Sequence, residues 1–171
     1  MRRQRAVLLV AIAVAAAVTA GSARAAAPVI AYGYPYARDC PDAGFAQAVD
    51  RWGMYECNCT SYLAWALHAN HRRTDWFVRG SMDAWNWPNV AEEAGIPEGS
   101  RPRPGAVAVW PRLSPPFGHL ALVTAVHADG RFDVAEYNYP AVGWFEPFVF
   151  DLRRDVRRGG ATFIYVPRSN R

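Results

Sequence analysis

The sequence contains no lysine: every basic side chain is arginine. This is a compositional bias of the kind a GC-rich genome imposes, and it says nothing about mechanism. Other absences exclude more. No internal repeat or low-complexity segment stands beyond the N-terminus, which argues against a solenoid or an array. The extended apolar run at residues 6–20 is short and ends in a small-residue motif, Ala23-Arg24-Ala25. With Arg2, Arg3 and Arg5 ahead of it, the run reads as a secretory signal peptide over residues 1–25 rather than a membrane anchor. The residues after Arg2-Arg3 do not support twin-arginine export. No cysteine stands at the expected cleavage point before Ala26, which argues against a lipoprotein. The expected location is therefore secreted, extracellular or in the cell wall.

An excess of charge is also missing. Of the 19 basic residues, four (Arg2, Arg3, Arg5, Arg24) lie in the signal segment, leaving 15 against 15 acidic residues. A neutral mature chain lacks the electrostatic footprint of a nucleic-acid binder. The run Arg153, Arg154, Arg157 and Arg158 reads as a solvated turn.

Cysteine is scarce and odd in number: Cys40, Cys57 and Cys59 all follow the signal. Exported proteins form disulfides, so one thiol is left over or pairs between chains. Cys57 and Cys59 are too close to bridge easily, and Cys40–Cys57 is the favoured pair. Cys59 is then the free thiol. It opens an apolar-periodic run in which Leu63, Ala66 and Leu67 share one helical face. A cysteine at a helix N-terminus meets unpaired amides and a dipole that favour an anion, which lowers a thiol's pKa. From this stretch alone, Cys59 reads equally as a reactive thiol, a disulfide half or a core residue.

Along the chain, residues 26–39 read as an extended lead-in, residues 41–50 as a short helix and residues 59–70 as the first firm helix. A second short helix is expected over 89–94, stopped by Gly95. Pro and Gly over 97–104 mark a change to sheet. Strands are expected over 105–110, 119–127, 131–137, 145–152 and 161–166, with Ala128-Asp129-Gly130 as a hairpin turn. Helices followed by antiparallel strands predict one α+β domain.

That hairpin places His119, at the start of one strand, near Glu136 and Asn138 at the end of the next. The chain order is thus a cysteine on a helix, a histidine on a strand and an acceptor on its neighbour. Cysteine chemistry needs a base within reach of the thiol and an acceptor on the other ring nitrogen. A metal reading of Cys57, Cys59, His68 and His71 is poorer. Cys-x-Cys spacing is unusual for structural zinc, and the histidines lie more than two turns from Cys59. His68, His71 and His127 read as ordinary surface or helix-end residues.

Five motifs in order resemble one family. They are Cys59-Thr60-Ser61-Tyr62 with Ala64-Trp65, Trp85-Asn86-Trp87-Pro88, Gly105-Ala106-Val107-Ala108-Val109-Trp110, Gly118-His119-Leu120-Ala121-Leu122-Val123 and Glu136-Tyr137-Asn138. Together they resemble the CHAP domain, the cysteine, histidine-dependent amidohydrolase/peptidase among papain-like cell-wall hydrolases. The resemblance implies a papain-like α+β domain over residues 40–167, with N-terminal helices packed on a C-terminal antiparallel sheet.

The resemblance also implies site roles. Cys59 would be the nucleophile, His119 the base and Glu136 the residue orienting it, with Asn138 a further polar position beside it. The Cys59 amide would serve the oxyanion. Asn58, where many members carry Gln, and Tyr55 are further oxyanion candidates. Trp76, Trp110 and Trp144 are candidates for a substrate groove, whereas Trp85 and Trp87 read as core. The implied function is a peptidoglycan hydrolase, either an N-acetylmuramoyl-L-alanine amidase or a peptide endopeptidase, working through a thioester. The alternative is a non-catalytic wall-binding module that has kept the fold. No cofactor is expected. Some members bind calcium, but Asp39, Asp42 and Asp50 match no calcium loop. Peptidoglycan is the expected partner of a monomer, with no nucleic acid and no integral membrane segment.

Overall fold

Helix α1 (Cys59–Ala69) starts where Asn58 stands in extended conformation at the N-cap. It ends where Asn70 and His71 turn their amides back onto the last carbonyls, with His71 at φ 54. The structure, a computed structural model, describes residues 28–40, 48–77, 83–113, 115–141, 144–145 and 149–170. The segment read as a signal peptide lies outside these residues. Most of the short helix expected over 41–50 also lies outside them; within its described part, Val49 bridges Tyr55. Among the described residues no helix is long and apolar enough to cross a membrane.

A 3-10 turn (Ala84–Asn86) leads into α2 (Trp87–Glu93), two residues earlier than the spacing suggested. Pro88 fits there because the first helical turn has no intrahelical use for its missing N–H. The strands follow: β1 (Glu98–Gly99), β2 (Val107–Trp110), β3 (His119–Val126), β4 (Phe132–Tyr137), β5 (Pro140–Ala141), β6 (Trp144–Phe145), β7 (Phe150–Val156) and β8 (Thr162–Ile164). Six form one antiparallel sheet in the order β1-β8-β2-β3-β4-β7, and β5 pairs with β6 separately. The strand expected over 145–152 is thus divided, and its C-terminal part begins at Phe150. Arg153 and Arg154, expected in a turn, lie inside β7 instead. The last strand inserts between β1 and β2, so β7 is left as the edge beside β4.

Both sheet faces are covered, which is why β2 and β3 read as continuous apolar runs. On one face, Tyr62, Leu63 and Leu67 of α1 pack with Val109, Leu120 and Leu122. Each of these large side chains is fully buried and contributes on the order of 2 kcal/mol. The other face carries Ala108, Ala121, Val123, Phe132 and Phe163. Trp87 is fully buried, whereas Trp85 is 45% exposed. Helices on an antiparallel sheet make the fold α+β.

The segment before Cys40 belongs to this core through Ala31 and Tyr34. Tyr34 ties it to the start of α1 in a directed chain of hydrogen bonds. The Cys57 N–H donates to the Tyr34 hydroxyl (3.0 Å), which donates to the Ser61 hydroxyl (2.7 Å), which donates to Asp50 (2.6 Å). Burial pushes the Tyr34 phenol well up, so it serves as a neutral link. Asp50 also accepts the Trp52 and Met54 N–H groups at 2.8 and 2.9 Å.

A disulfide joins Cys40 to Cys57 across a sequence separation of 17, beside this chain of hydrogen bonds. Closing a loop of that size stabilises the fold by about 3 kcal/mol on the chain-entropy model. Replacing both cysteines by alanine is therefore expected to lower the unfolding free energy by about that amount. Urea unfolding of the double variant checks this, and an unchanged midpoint would contradict it.

Candidate active site

The chain enters α1 through Cys57, a non-glycine residue at φ 64, held by its disulfide and by the Tyr34 hydroxyl. Two residues on, Cys59 is the free cysteine among the described residues, partly buried at the first position of α1. Asn58 makes no side-chain cap, and the first intrahelical bond runs from the Tyr62 N–H to the Asn58 carbonyl. The amides of Cys59, Thr60 and Ser61 therefore have no partner within the helix.

His119 opens β3 directly after Gly118, which stands at φ 75. A Cβ on Gly118 would lie 2.6 Å from the Trp85 backbone nitrogen, which bonds the Phe117 carbonyl. Only glycine lets this turn close against the segment leading into α2. His119 is paired across β2 with Trp110 and is nearly fully buried. Its ring interacts with the Cys59 side chain. Nε2 lies 2.7 Å from Oε2 of Glu136, which leaves Nδ1 for the sulfur. Glu136 has no exposed surface.

The electrostatics follow from these contacts. Burial alone would lower the His119 pKa. The interactions with Cys59 and Glu136 outweigh it and raise the value from 6.5 to about 9. For Glu136, burial alone would raise the pKa, but hydrogen bonds from His119 and Arg153 and their positive charges hold it below 4.5. The raised histidine stabilises the fold fully below about 6.5, and that contribution is lost as pH rises through about 9. The lowered glutamate contributes fully above about 4.5, and this is lost as pH falls through its depressed value. The pair is strongest between those two ordinary values.

Asn138, at φ 56, donates through Nδ2 to Oδ1 of Asn58 at 2.9 Å. It thus meets the residue before Cys59, while Glu136 is the one hydrogen-bonded to His119. The ring of Tyr55 is exposed, on the turn bridged to Val49. Trp76 is buried against Phe77 and Trp87. Trp110 is 6.4 Å from the His119 ring centroid, and the Trp144 side chain lies outside the described residues.

Sequence reasoning missed Arg153. It reaches from β7 to both oxygens of Glu136, with Nη2 2.9 Å from Oε2 and Nε on Oε1. The signal was present: alternation along β7 turns Arg153 to the face of Glu136.

The donor chemistry offers little to a metal near Cys59. Cys57 is bonded to Cys40, Asp50 is committed to Ser61 and two amides, Asp39 is exposed, and Asp42 lies outside the described residues. His127, at the other end of the β3–β4 hairpin, is half-exposed and pairs with Asp133 at 2.8 Å.

If Glu136 sustains the charge on His119, Glu136→Gln lowers the pH at which the ring loses its proton by about one to two pH units. NMR titration of the imidazole reads this directly, and an unmoved midpoint would refute the coupling.

Comparisons with known proteins agree with this fold. A Streptococcus mutans protein described only as a hydrolase is 31% identical over 93 residues, 53% of this chain and 41% of that protein. The crystal structure of an N-acetylmuramoyl-L-alanine amidase from Staphylococcus aureus superimposes with a TM-score of 0.54 at 20% identity. That match covers 72% of this chain and 34% of the amidase. The chain thus spans well under half the length of either relative, and at this identity the amidase supports the papain-like fold alone. The CHAP domain family matches residues 49–138, which run from the turn before α1 through Cys59, His119 and Glu136 to Asn138. The chain belongs to the CHAP domain family.

Proposed function

We propose that this protein is an exported peptidoglycan hydrolase that cleaves an amide bond through a cysteine thioester. The observation that carries the reading is the buried His119 ring, which hydrogen-bonds Glu136 at 2.7 Å and interacts with the Cys59 side chain. The disulfide between Cys40 and Cys57 leaves Cys59 free for chemistry and suits an oxidising compartment. The basic and apolar N-terminal segment supports export.

In the proposed reaction, the Cys59 sulfur attacks the amide carbonyl carbon. The carbonyl oxygen gathers negative charge beside the unpaired Cys59 N–H at the start of α1. As the C–N bond breaks, the His119 imidazolium gives its proton to the departing amine. Water then attacks the thioester carbon, His119 accepts a proton from that water, and the thiol is released. Glu136 holds the ring with Nδ1 toward the sulfur and favours its charged form. We assign the second N–H of Asn58 Nδ2 as a further oxyanion donor, its amide oriented by the bond from Asn138 to Oδ1 and by its own bond to the Glu56 carbonyl at 3.4 Å.

The test incubates the protein from Ala26 onward with purified peptidoglycan under mild reduction and identifies released fragments by mass spectrometry. Cys59→Ala is expected to release none, a loss of at least about a thousandfold. A new amine terminus on L-alanine identifies an amidase, and one elsewhere in the peptide an endopeptidase. Folded wild-type protein that binds several wall types and releases nothing would replace this reading with a wall-binding module. Asn58→Ala is expected to lower kcat by about a hundredfold with KM little changed. A change confined to KM would remove Asn58 from the oxyanion site.

A further inference from the structure

Behind the pair of Cys59 and His119, three side chains on adjacent strands form one continuous polar row. His119 stands on β3, Glu136 on β4 and Arg153 on β7. The ladder pairs Val134 with Arg153 and Glu136 with Asp151. Arg153 is therefore on the same sheet face as Glu136 and diagonal to it, within reach of a long side chain. Its guanidinium meets the carboxylate in a two-pronged fork, Nε to Oε1 and Nη2 to Oε2 at 2.9 Å. The fork is held from outside as well. The Arg153 guanidinium carbon lies 3.7 Å from the Tyr139 ring centroid and 5.3 Å from that of Trp110. Tyr139 and Trp110 also flank the His119 ring, at 5.4 and 6.4 Å between centroids.

We propose that Arg153 is a positioning residue of this site: its fork fixes the plane of the Glu136 carboxylate and so aims the His119 ring at Cys59. The inference rests on the reading in which Cys59 and His119 react. Oε2 serves both cations, so the direction in which it faces His119 depends on where Arg153 anchors Oε1. A carboxylate without that anchor is free to turn about its last torsion, for which no strong rotamer preference exists. Lysine can supply the charge but not the planar fork. Loss of Arg153 also removes one of the two cations that keep Glu136 ionised. Both effects reach Cys59 only through Glu136.

Alkylation of Cys59 by iodoacetamide, followed across pH, tests this without any assumption about the natural substrate. The disulfide occupies the other two cysteines, so the signal belongs to Cys59. Arg153→Met is expected to move the acid limb of the profile upward and to slow alkylation near neutral pH by about tenfold, the effect of losing an outer-shell partner. Arg153→Lys should fall between Arg153→Met and wild type, and it carries the test if the methionine variant fails to fold. In a Glu136→Gln background, Arg153→Met should change the profile by less than about twofold, because the route to His119 is already cut.

A purely structural role would lower the melting temperature and leave the shape of the pH profile unchanged. That result, or an Arg153→Met effect that multiplies with Glu136→Gln, would overturn the proposal. If the alkylation profiles behave as expected while peptidoglycan stays intact, the positioning role stands and the substrate assignment falls.

Discussion

A carboxylate with no exposed surface is stable only if positive charge and donors replace the water it has lost. Glu136 is such a group, and the centre of the sheet is arranged around that requirement. His119 meets one oxygen from β3, and Arg153 meets both from β7. Trp110 and Tyr139 cover the Arg153 guanidinium with aromatic faces, which tolerate a cation without solvating it as water would. Remove one partner and the rest are left with an unpaired charge in a dry interior. The ionisation of His119 and the inward turn of a long arginine both follow from this one buried anion.

The thiol is held by separate means. The start of α1 is fixed by a disulfide at Cys57 and by the hydrogen-bond chain from Cys57 through Tyr34 and Ser61 to Asp50. None of these groups touches His119 or Glu136. Cys59 and His119 thus belong to two independently braced units, and their meeting depends on how α1 seats on β3 and β4 through Leu63 and Leu67. Reacting groups must be placed within a few tenths of an ångström to be effective. A rigid helix start facing a rigid strand start supplies that better than a loop would.

Local patterns were legible in the sequence, and distant pairings were not. The periodicity of Leu63, Ala66 and Leu67 marks α1, and the Ala128-Asp129-Gly130 turn marks the hairpin that brings His119 and Glu136 together. These signals need only neighbouring residues. The insertion of β8 between β1 and β2 joins segments more than 50 residues apart, and no local period encodes that choice. The division of the 145–152 strand reflects pairing of Phe145 with Pro140, again a partner effect. Arg153 was read as a solvated turn because clustered arginines usually are. Its burial becomes visible only when the alternation of β7 is set beside a strand that carries a buried acid.

The proposed chemistry also depends on how charge is balanced across the row. In the ion pair that the proposed attack requires, the order from helix to sheet edge is thiolate, imidazolium, carboxylate and guanidinium, with alternating sign and no net charge. Once the acyl group is on Cys59 and the proton has left His119, the thioester and the imidazole are both neutral. The carboxylate and guanidinium remain, and the sum is again zero. A low-dielectric site that keeps zero net charge through the step avoids the large cost of creating an uncompensated ion there. Without Arg153 the same site would carry one negative charge in both states. That charge would be relieved most simply by protonating Glu136, which would remove the acceptor that holds the ring. The guanidinium lets a fully buried glutamate remain the anion that the histidine requires.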